Sequence, residues 1–280
     1  MIKNIFVLIR IKDWIKNFII FFPFLFSGNL GNISAFGDLL LVFIKFALAS
    51  SIIYIFNDIV DVENDRNHKT KINKKPIASN LVSLNLAYIL ISSLLLILIL
   101  ILFNNTLILS HIILYILLNF FYSAILKKIA YVDLLCISAG YLIRLDAGSE
   151  AINVNTSLLL ASTVFSLSLY IILIKRYSEY IYQSNMRNVY KHYSKKILKF
   201  LITISGVIFL ICCFVFIIIQ KFFLIIIYPF LIYLIFRYYS SSQKLTLGEY
   251  PVDLIFKDKI LFLLSSLILI FTILVYYLEL

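Results

Sequence analysis

Charge is scarce in this sequence. Only 14% of its 280 residues are Asp, Glu, Lys or Arg, whereas 62% are hydrophobic and mean hydropathy is +1.02. A water-soluble domain carries roughly a quarter charged residues, so this chain lacks the polar surface to wrap its apolar mass in water. With 4 Pro and 7 Gly, collagen-like and low-complexity disordered chains are excluded. The 3 cysteines, Cys136, Cys212 and Cys213, are too few for a disulfide scaffold and all fall in apolar runs, where they read as packing residues. His68, His111 and His192 show no metal-ligand spacing among themselves. No small-residue cleavage site follows the first apolar stretch, which is therefore read as a retained anchor.

What is abundant is long runs of Ile, Leu and Phe. About 20 mostly apolar residues cross a bilayer core as a helix, and nine segments meet that test: 15–30, 38–58, 81–103, 107–126, 132–149, 157–174, 197–219, 222–238 and 260–279. The runs are continuous rather than alternating, which argues against a β-barrel. The expected fold is all-α: a single polytopic membrane bundle over 1–280, with an interfacial lead-in at 1–14 ending on Trp14 as an interfacial anchor. Asn104-Asn105-Thr106 and Gln220-Lys221 read as tight hairpin turns.

Of the 25 Lys and Arg, 22 fall in the N-terminal stretch, in the loops after the second, fourth, sixth and eighth spans, or at the adjoining helix ends. Lys221 alone lies on the other face, with Lys45 and Arg144 inside spans. Basic residues mark the cytoplasmic side, so the N-terminus is expected inside and the C-terminus outside, in a bacterial-type inner or plasma membrane. This bias and attraction to anionic headgroups account for the net charge of +11. No nucleic-acid motif is present, and oligomeric state is left open.

Acidic residues are rarer still, yet Asp58, Asp61, Glu63 and Asp65 fall within eight positions, just after Asn57. At helical spacing Asn57, Asp58, Asp61 and Asp65 share one face, and Asp58 to Asp65 covers only about 10 Å. Carboxylates so close repel unless a cation lies between them, and hard oxygen ligands suit Mg²⁺ bridging to a phosphorylated substrate. A solvated patch is the bland alternative, but negative charge at a helix C-terminus opposes the macrodipole. Arg66, His68, Lys69, Lys71, Lys74 and Lys75 follow directly, and carboxylates beside cations suit a diphosphate.

The segment NDIVDVENDRNHKTKINKKPIAS resembles the N-D-x-x-D-x-x-x-D signature of the UbiA superfamily of intramembrane prenyltransferases. The resemblance implies nine helices around a central cavity, with a metal–diphosphate site at its cytoplasmic end. Motif loops fall at 57–80, 122–133 and 175–196. Ordinary members have a second acidic motif after the fourth helix; here Asp133 stands alone near Lys127 and Lys128. One acidic and one basic cluster suit a donor with an extra phosphate or an anionic acceptor. Arg10-Ile-Lys12-Asp-Trp14-Ile-Lys16-Asn17, YSAILKK, GYLIRLDAG and Lys175-Arg176-Tyr177-Ser178-Glu179 are similar, in order, to motifs of the superfamily's decaprenyl-phosphate phosphoribosyltransferase branch, with a weaker match around Pro251 to Asp258. Departures are Ile11 for a common Pro, Lys75 for an Arg, Asn80 for a Gly, and Asp146 at a usually apolar position.

That resemblance implies Mg²⁺-dependent transfer of a 5-phosphoribosyl group from phosphoribosyl diphosphate to a polyprenyl phosphate, with diphosphate release, in cell-envelope glycan synthesis. Asp58, Asp61 and Asp65 are the expected metal ligands, beside Asn57. Arg66, Lys69, Lys71 and Lys75 add charge stabilisation of the leaving group. Lys127, Lys175 and Arg176 are assigned to phosphates of donor or acceptor. Tyr122 is a candidate for the ribose or a phosphate, Glu179 for orienting Arg176 or holding a ribose hydroxyl, and Lys16 and Asn17 for the lipid headgroup. Lys128, Lys191, Lys195, Lys196 and Lys199 read as boundary or lipid-contacting charges. Arg144, about 20 Å along its helix, is expected to pair with Asp146 or Glu150. The alternatives are an isoprenyl transfer from an allylic diphosphate to an aromatic or lipid acceptor, and a charged-lipid transporter, which the lack of helix breakers and repeats disfavours.

Overall fold

Peptide groups in lipid have no water to bond, so an apolar run satisfies its backbone internally by forming a helix. The computed structural model describes residues 2–28, 30–67, 75–104, 106, 108–183, 192–244 and 248–278, and among them there is no strand. The helices are α1 (Ile2–Ile9), α2 (Phe22–Phe26), α3 (Ile33–Val60), α4 (Val62–Arg66), α5 (Leu84–Asn104), α6 (Leu109–Ala124), α7 (Val132–Ala151), α8 (Leu158–Gln183), α9 (Lys195–Gln220), α10 (Tyr228–Lys244), α11 (Pro251–Lys257) and α12 (Lys259–Tyr277). 3₁₀ stretches precede α2, α7 and α10.

Each expected span falls on helical chain, but not all as uniform apolar helices. Six segments are long and apolar enough to cross a membrane: α3, Leu84–Phe103, Leu158–Ile181, α9, Phe222–Gln243 and α12. Of the other three, α6 has 16 residues. α7 carries Asp133, Arg144, Asp146 and Glu150. The first is 3₁₀ over Ile11–Phe21 before the short α2. The second span starts earlier than expected, at Ile33, because the Asn32 side chain accepts the Ala35 amide hydrogen at 3.1 Å and caps the helix.

The first segment, α3, α6 and α7 form the centre. Ile20, Phe24, Leu39, Phe46, Ile112, Tyr115 and Ala147 interlock there. By contrast, α5 and α12 expose most of their Leu, Ile and Phe, as expected of helices facing lipid, where burial gains no hydrophobic free energy. Serines and threonines inside the bundle return their hydroxyls to their own helix, as Ser123 does to the Asn119 carbonyl at 2.7 Å and Thr163 to Leu159 at 2.8 Å. At the C-terminal end Asp258 caps α12, accepting from the amides of Ile260 and Leu261, from Arg237 on α10 and from Ser241. Burial pushes that carboxyl up, but the Ser241, Arg237 and Leu261 hydrogen bonds more than offset it and hold it below the usual carboxylate range.

A 3₁₀ run of 11 residues is long for that geometry. Its backbone lies directly on α7 at Gly148, where a Cβ would stand 2.1 Å from the Ile20 carbonyl oxygen. No side chain tip gives way there, because the obstacle is backbone. Gly148→Ala therefore forces the first segment off α7, at a cost of about 1–3 kcal/mol. A lowered Tm in detergent and a loss of whatever activity the protein has are the expected outcomes; an unchanged Tm contradicts this packing.

Candidate functional site

At one end of the bundle the charged residues converge. α3 runs to Val60, Asp61 interrupts it at φ −92° and ψ 6°, and α4 resumes at Val62. The single continuous helix face expected for the aspartates is thus broken at Asp61, and its carboxylate turns to a different partner from the other two. Asp58 and Asp65 are buried, at 3% and 2% exposure, and both meet the Lys75 ammonium, Asp58 at 3.1 Å and Asp65 in a shorter contact. Asp58 also accepts from Arg10 at 2.7 Å. Asp61 instead accepts from Lys127 at 2.7 Å.

Local chain chemistry places each cation. Arg10 occupies the left-handed region at φ 56°, a hinge between α1 and the 3₁₀ segment that swings its guanidinium over the Tyr54 ring, 4.8 Å from its centroid, and onto Asp58. Lys75 precedes a turn in which Ser79 bonds back to Lys75 and Val82 to Pro76. Ile77 and Val82 of that turn are buried with Leu8, Ile55 and Ala87, so apolar packing holds the lysine over the carboxylates. Asn80 closes the turn at φ 59°, which accounts for the Gly common at this position. Lys127 sits in the 3₁₀ turn Leu126–Lys128 that ends α6.

Of the remaining expected site residues, Lys16 pairs with Asp13 at 2.6 Å and lies 5.7 Å from the Tyr54 ring centroid. Lys175 on α8 is close enough to couple electrostatically with Lys16, Arg10 and Glu179. The Asn57 side-chain oxygen is buried with no hydrogen-bond partner among the described residues. Tyr122 is half-buried near the end of α6. Arg66 is exposed and bonds Asn80 at 2.7 Å, on the outside of the turn rather than over the aspartates. Lys69 and Lys71 lie outside the described residues.

Arg176 and Glu179 form a separate cluster. Arg176 is buried between Asp133, at 2.5 Å, and Glu179, and Asp133 also accepts from Tyr193. Two carboxylates thus claim the guanidinium. This supports the expected orienting of Arg176 by Glu179, while the lone carboxylate after α6 faces Arg176 rather than the aspartate cluster.

Two expectations are corrected. Trp14 does not sit as an interfacial anchor; it points into the bundle and donates to Ser51 at 3.0 Å. Arg144 pairs with neither Asp146 nor Glu150, since residues two and six apart do not share a helix face. Both acids instead meet His111 of α6, at 3.1 and 3.2 Å. Sequence reasoning also passed over Arg10, Asp13 and Tyr54 as site residues. Their signals were available: Arg10 and Asp13 lie inside the N-terminal motif, and Tyr54 is one helical turn before Asp58.

With this geometry in hand, kinship can be judged. The model of the UbiA prenyltransferase family matches residues 18–248. The chain belongs to this family. UbiA homologs from Archaeoglobus fulgidus have the same fold: one bound to DMAPP and Mg²⁺ superposes with a TM-score of 0.71 at 16% identity, over 99% of this chain and 100% of that one. A digeranylgeranylglyceryl phosphate synthase gives 0.65 at 21% identity, over 99% and 98%. Among curated proteins, the decaprenyl-phosphate phosphoribosyltransferase of Mycobacterium tuberculosis is 28% identical over 92% of this chain and 89% of its own length. That of Mycolicibacterium smegmatis is 30% identical over 73% and 67%.

Among the described residues no group of three or more carboxylates, cysteines or histidines already converges as a metal-ion cage. In this UbiA chain Lys75 stands where Asp58 and Asp65 would share a cation. Lys75→Met removes that internal counter-ion, leaving Asp58 with Arg10 alone and the two buried carboxylates in stronger mutual repulsion. Thermal melting should show the variant less stable than wild type in chelator and more strongly stabilised by millimolar divalent cation. Equal divalent responses in the two proteins contradict the shared position.

Proposed function

We propose that this UbiA-family protein transfers a 5-phosphoribosyl group from phosphoribosyl diphosphate to a polyprenyl phosphate at the cytoplasmic face of a bacterial-type inner membrane, releasing diphosphate in a Mg²⁺-dependent reaction. The observation that carries the reading is what faces the aspartates. Lys127 from the turn after α6 is paired with Asp61, while Asp133 is committed to Arg176 and Tyr193. A site with one acidic cluster and Arg10, Lys16, Lys75, Lys127 and Lys175 around it suits more phosphate than a single allylic diphosphate brings. A three-phosphate donor and an anionic lipid acceptor match that balance, and the names of the mycobacterial relatives support it.

The donor set fits Mg²⁺. Asp58 and Asp65 already reach one cation, and the Asn57 oxygen is a buried acceptor without a partner among the described residues. Asp58, Asp61 and Asp65 would hold the ion, which when bound neutralises charge on the departing diphosphate. The chain's own groups do the rest. Lys75 and Lys127, on flexible four-carbon stems, present ammonium charge to phosphate oxygens at the same end. Arg10, over the Tyr54 face, keeps a fixed positive charge beside Asp58. The lipid phosphate is ionised at neutral pH and attacks as an anion, so no side chain has to remove a proton. As the C1–diphosphate bond breaks, the ribose C1 becomes oxocarbenium-like and the anionic lipid phosphate forms the new bond to it, while these cations offset the negative charge on the departing diphosphate.

Purified protein in lipid nanodiscs should release diphosphate from phosphoribosyl diphosphate only when polyprenyl phosphate and Mg²⁺ are both present. Asp61→Asn should lower that rate at least about 100-fold with the helical content retained. Turnover of an allylic diphosphate alone, with phosphoribosyl diphosphate untouched, overturns the reading in favour of isoprenyl transfer. Wild-type rates in Asp61→Asn remove the proposed metal role.

A further inference from the structure

Arg144 is the buried charge that the proposed reaction leaves unused. It is 5% exposed in the centre of the bundle, where the first segment, α3, α6 and α7 meet. Its Nε donates to the Asn17 side-chain oxygen at 2.7 Å, one terminal nitrogen to the Gly140 carbonyl at 2.8 Å, and the other to the Tyr115 hydroxyl at 2.7 Å, with Ser50 at 3.5 Å. The guanidinium also lies 4.5 Å from the Tyr115 ring centroid and 5.6 Å from that of Tyr141. Every one of these partners is neutral. A lone cation deep in a low-dielectric bundle is costly unless an anion completes it.

A second observation points the same way. Asn17 is 1% exposed, and its amide nitrogen is buried with no hydrogen-bond partner among the described residues. An unmet donor thus sits against an uncompensated guanidinium, and both ask for an acceptor carrying negative charge. Gly140 contributes by absence: a Cβ there would meet the Arg144 side chain at 3.5 Å, so the guanidinium lies flat along its own helix. Asn17 directly follows Lys16, whose ammonium lies 5.7 Å from the Tyr54 ring centroid beneath the mouth residue Arg10. Ser50 lies eight residues before Asp58 on α3, so this donor pair is about 12 Å deeper than the aspartates.

We propose that Arg144 and the Asn17 amide form an anion subsite for a phosphate monoester, separate from the carboxylate cluster. The planar guanidinium suits phosphate oxygens. The choice of phosphate monoester rests on the proposed reaction, in which two groups have that chemistry: the lipid acceptor's phosphate and the 5-phosphate of the sugar donor.

The test separates those sources and does not depend on turnover. Full-length protein is melted in chelator with a short isoprenyl monophosphate or with ribose 5-phosphate. A rise in Tm with the isoprenyl compound assigns the subsite to the acceptor, and a rise with ribose 5-phosphate assigns it to the donor. Asn17→Asp retains the oxygen that Arg144 bonds but supplies an internal counter-ion. This variant should melt no lower than wild type without ligand, lose the ligand-induced shift, and raise KM for the matching substrate at least tenfold. Should it not fold, Arg144→Lys, which keeps the charge and loses the planar fork, carries the same readout and should weaken the shift. No shift in wild type with either compound, or a full shift retained in the folded variant, overturns the subsite and leaves Arg144 as a clamp between helices. If phosphoribosyl transfer is itself wrong, wild-type turnover fails while the binding shifts survive.

Discussion

Carboxylates at the end of a membrane bundle persist only if each is matched by a cation, and that matching organises this molecule. Asp58, Asp61 and Asp65 come from one stretch of chain, but their partners come from far along it: Arg10 from the hinge after α1, Lys75 from the turn before α5, and Lys127 from the turn after α6. Each pair ties a separate element to the end of α3. The geometry of the site and the closure of that end of the bundle are therefore one problem. A buried ion pair adds little net stability, but losing one member leaves a charge that cannot be solvated. Such a site holds its shape without substrate, each aspartate carrying at least one cation.

The two ion clusters divide the work. Asp133, Arg176, Glu179 and Tyr193 join α7 and α8 to the chain before α9 in a buried network. Asp61 and Asp65 are held by lysines and Asp58 by Lys75 and Arg10 together; a lysine's long stem and compact charge exchange partners more readily than a forked guanidinium between two carboxylates. Exchangeable pairs at one place and locked pairs at another is the arrangement a phosphate-handling site requires. Farther in, Arg144 and Asn17 extend positive character into the bundle where no carboxylate pairs with them among the described residues.

Much of this was legible in the sequence, because bilayer thickness and backbone hydrogen bonding leave few choices for long apolar runs. The spacing of Asp58, Asp61 and Asp65 and the lysines that follow marked the chemistry. What it did not reveal depends on packing between distant residues. The first segment is 3₁₀ and its Ile20 carbonyl lies directly on Gly148 of α7, a contact between distant residues that no local pattern encodes. Trp14 has the composition of an interfacial anchor, yet Ser51 gives its indole a partner inside. Arg144 was matched to the nearest acids in sequence; helix periodicity turns those acids away, and neutral groups from three other segments take their place. The break at Asp61 was hidden because i, i+3 and i, i+4 spacing fits a straight helix and a kinked one equally well.

If the carboxylates are held by exchangeable lysines until phosphate draws those lysines away, metal binding must be coupled to the donor. Calorimetric titration of Mg²⁺ into the purified protein tests this most directly. The account predicts weak binding alone, tightened at least tenfold by phosphoribosyl diphosphate and much less by an allylic diphosphate. Equal Mg²⁺ affinity with and without phosphoribosyl diphosphate would contradict it.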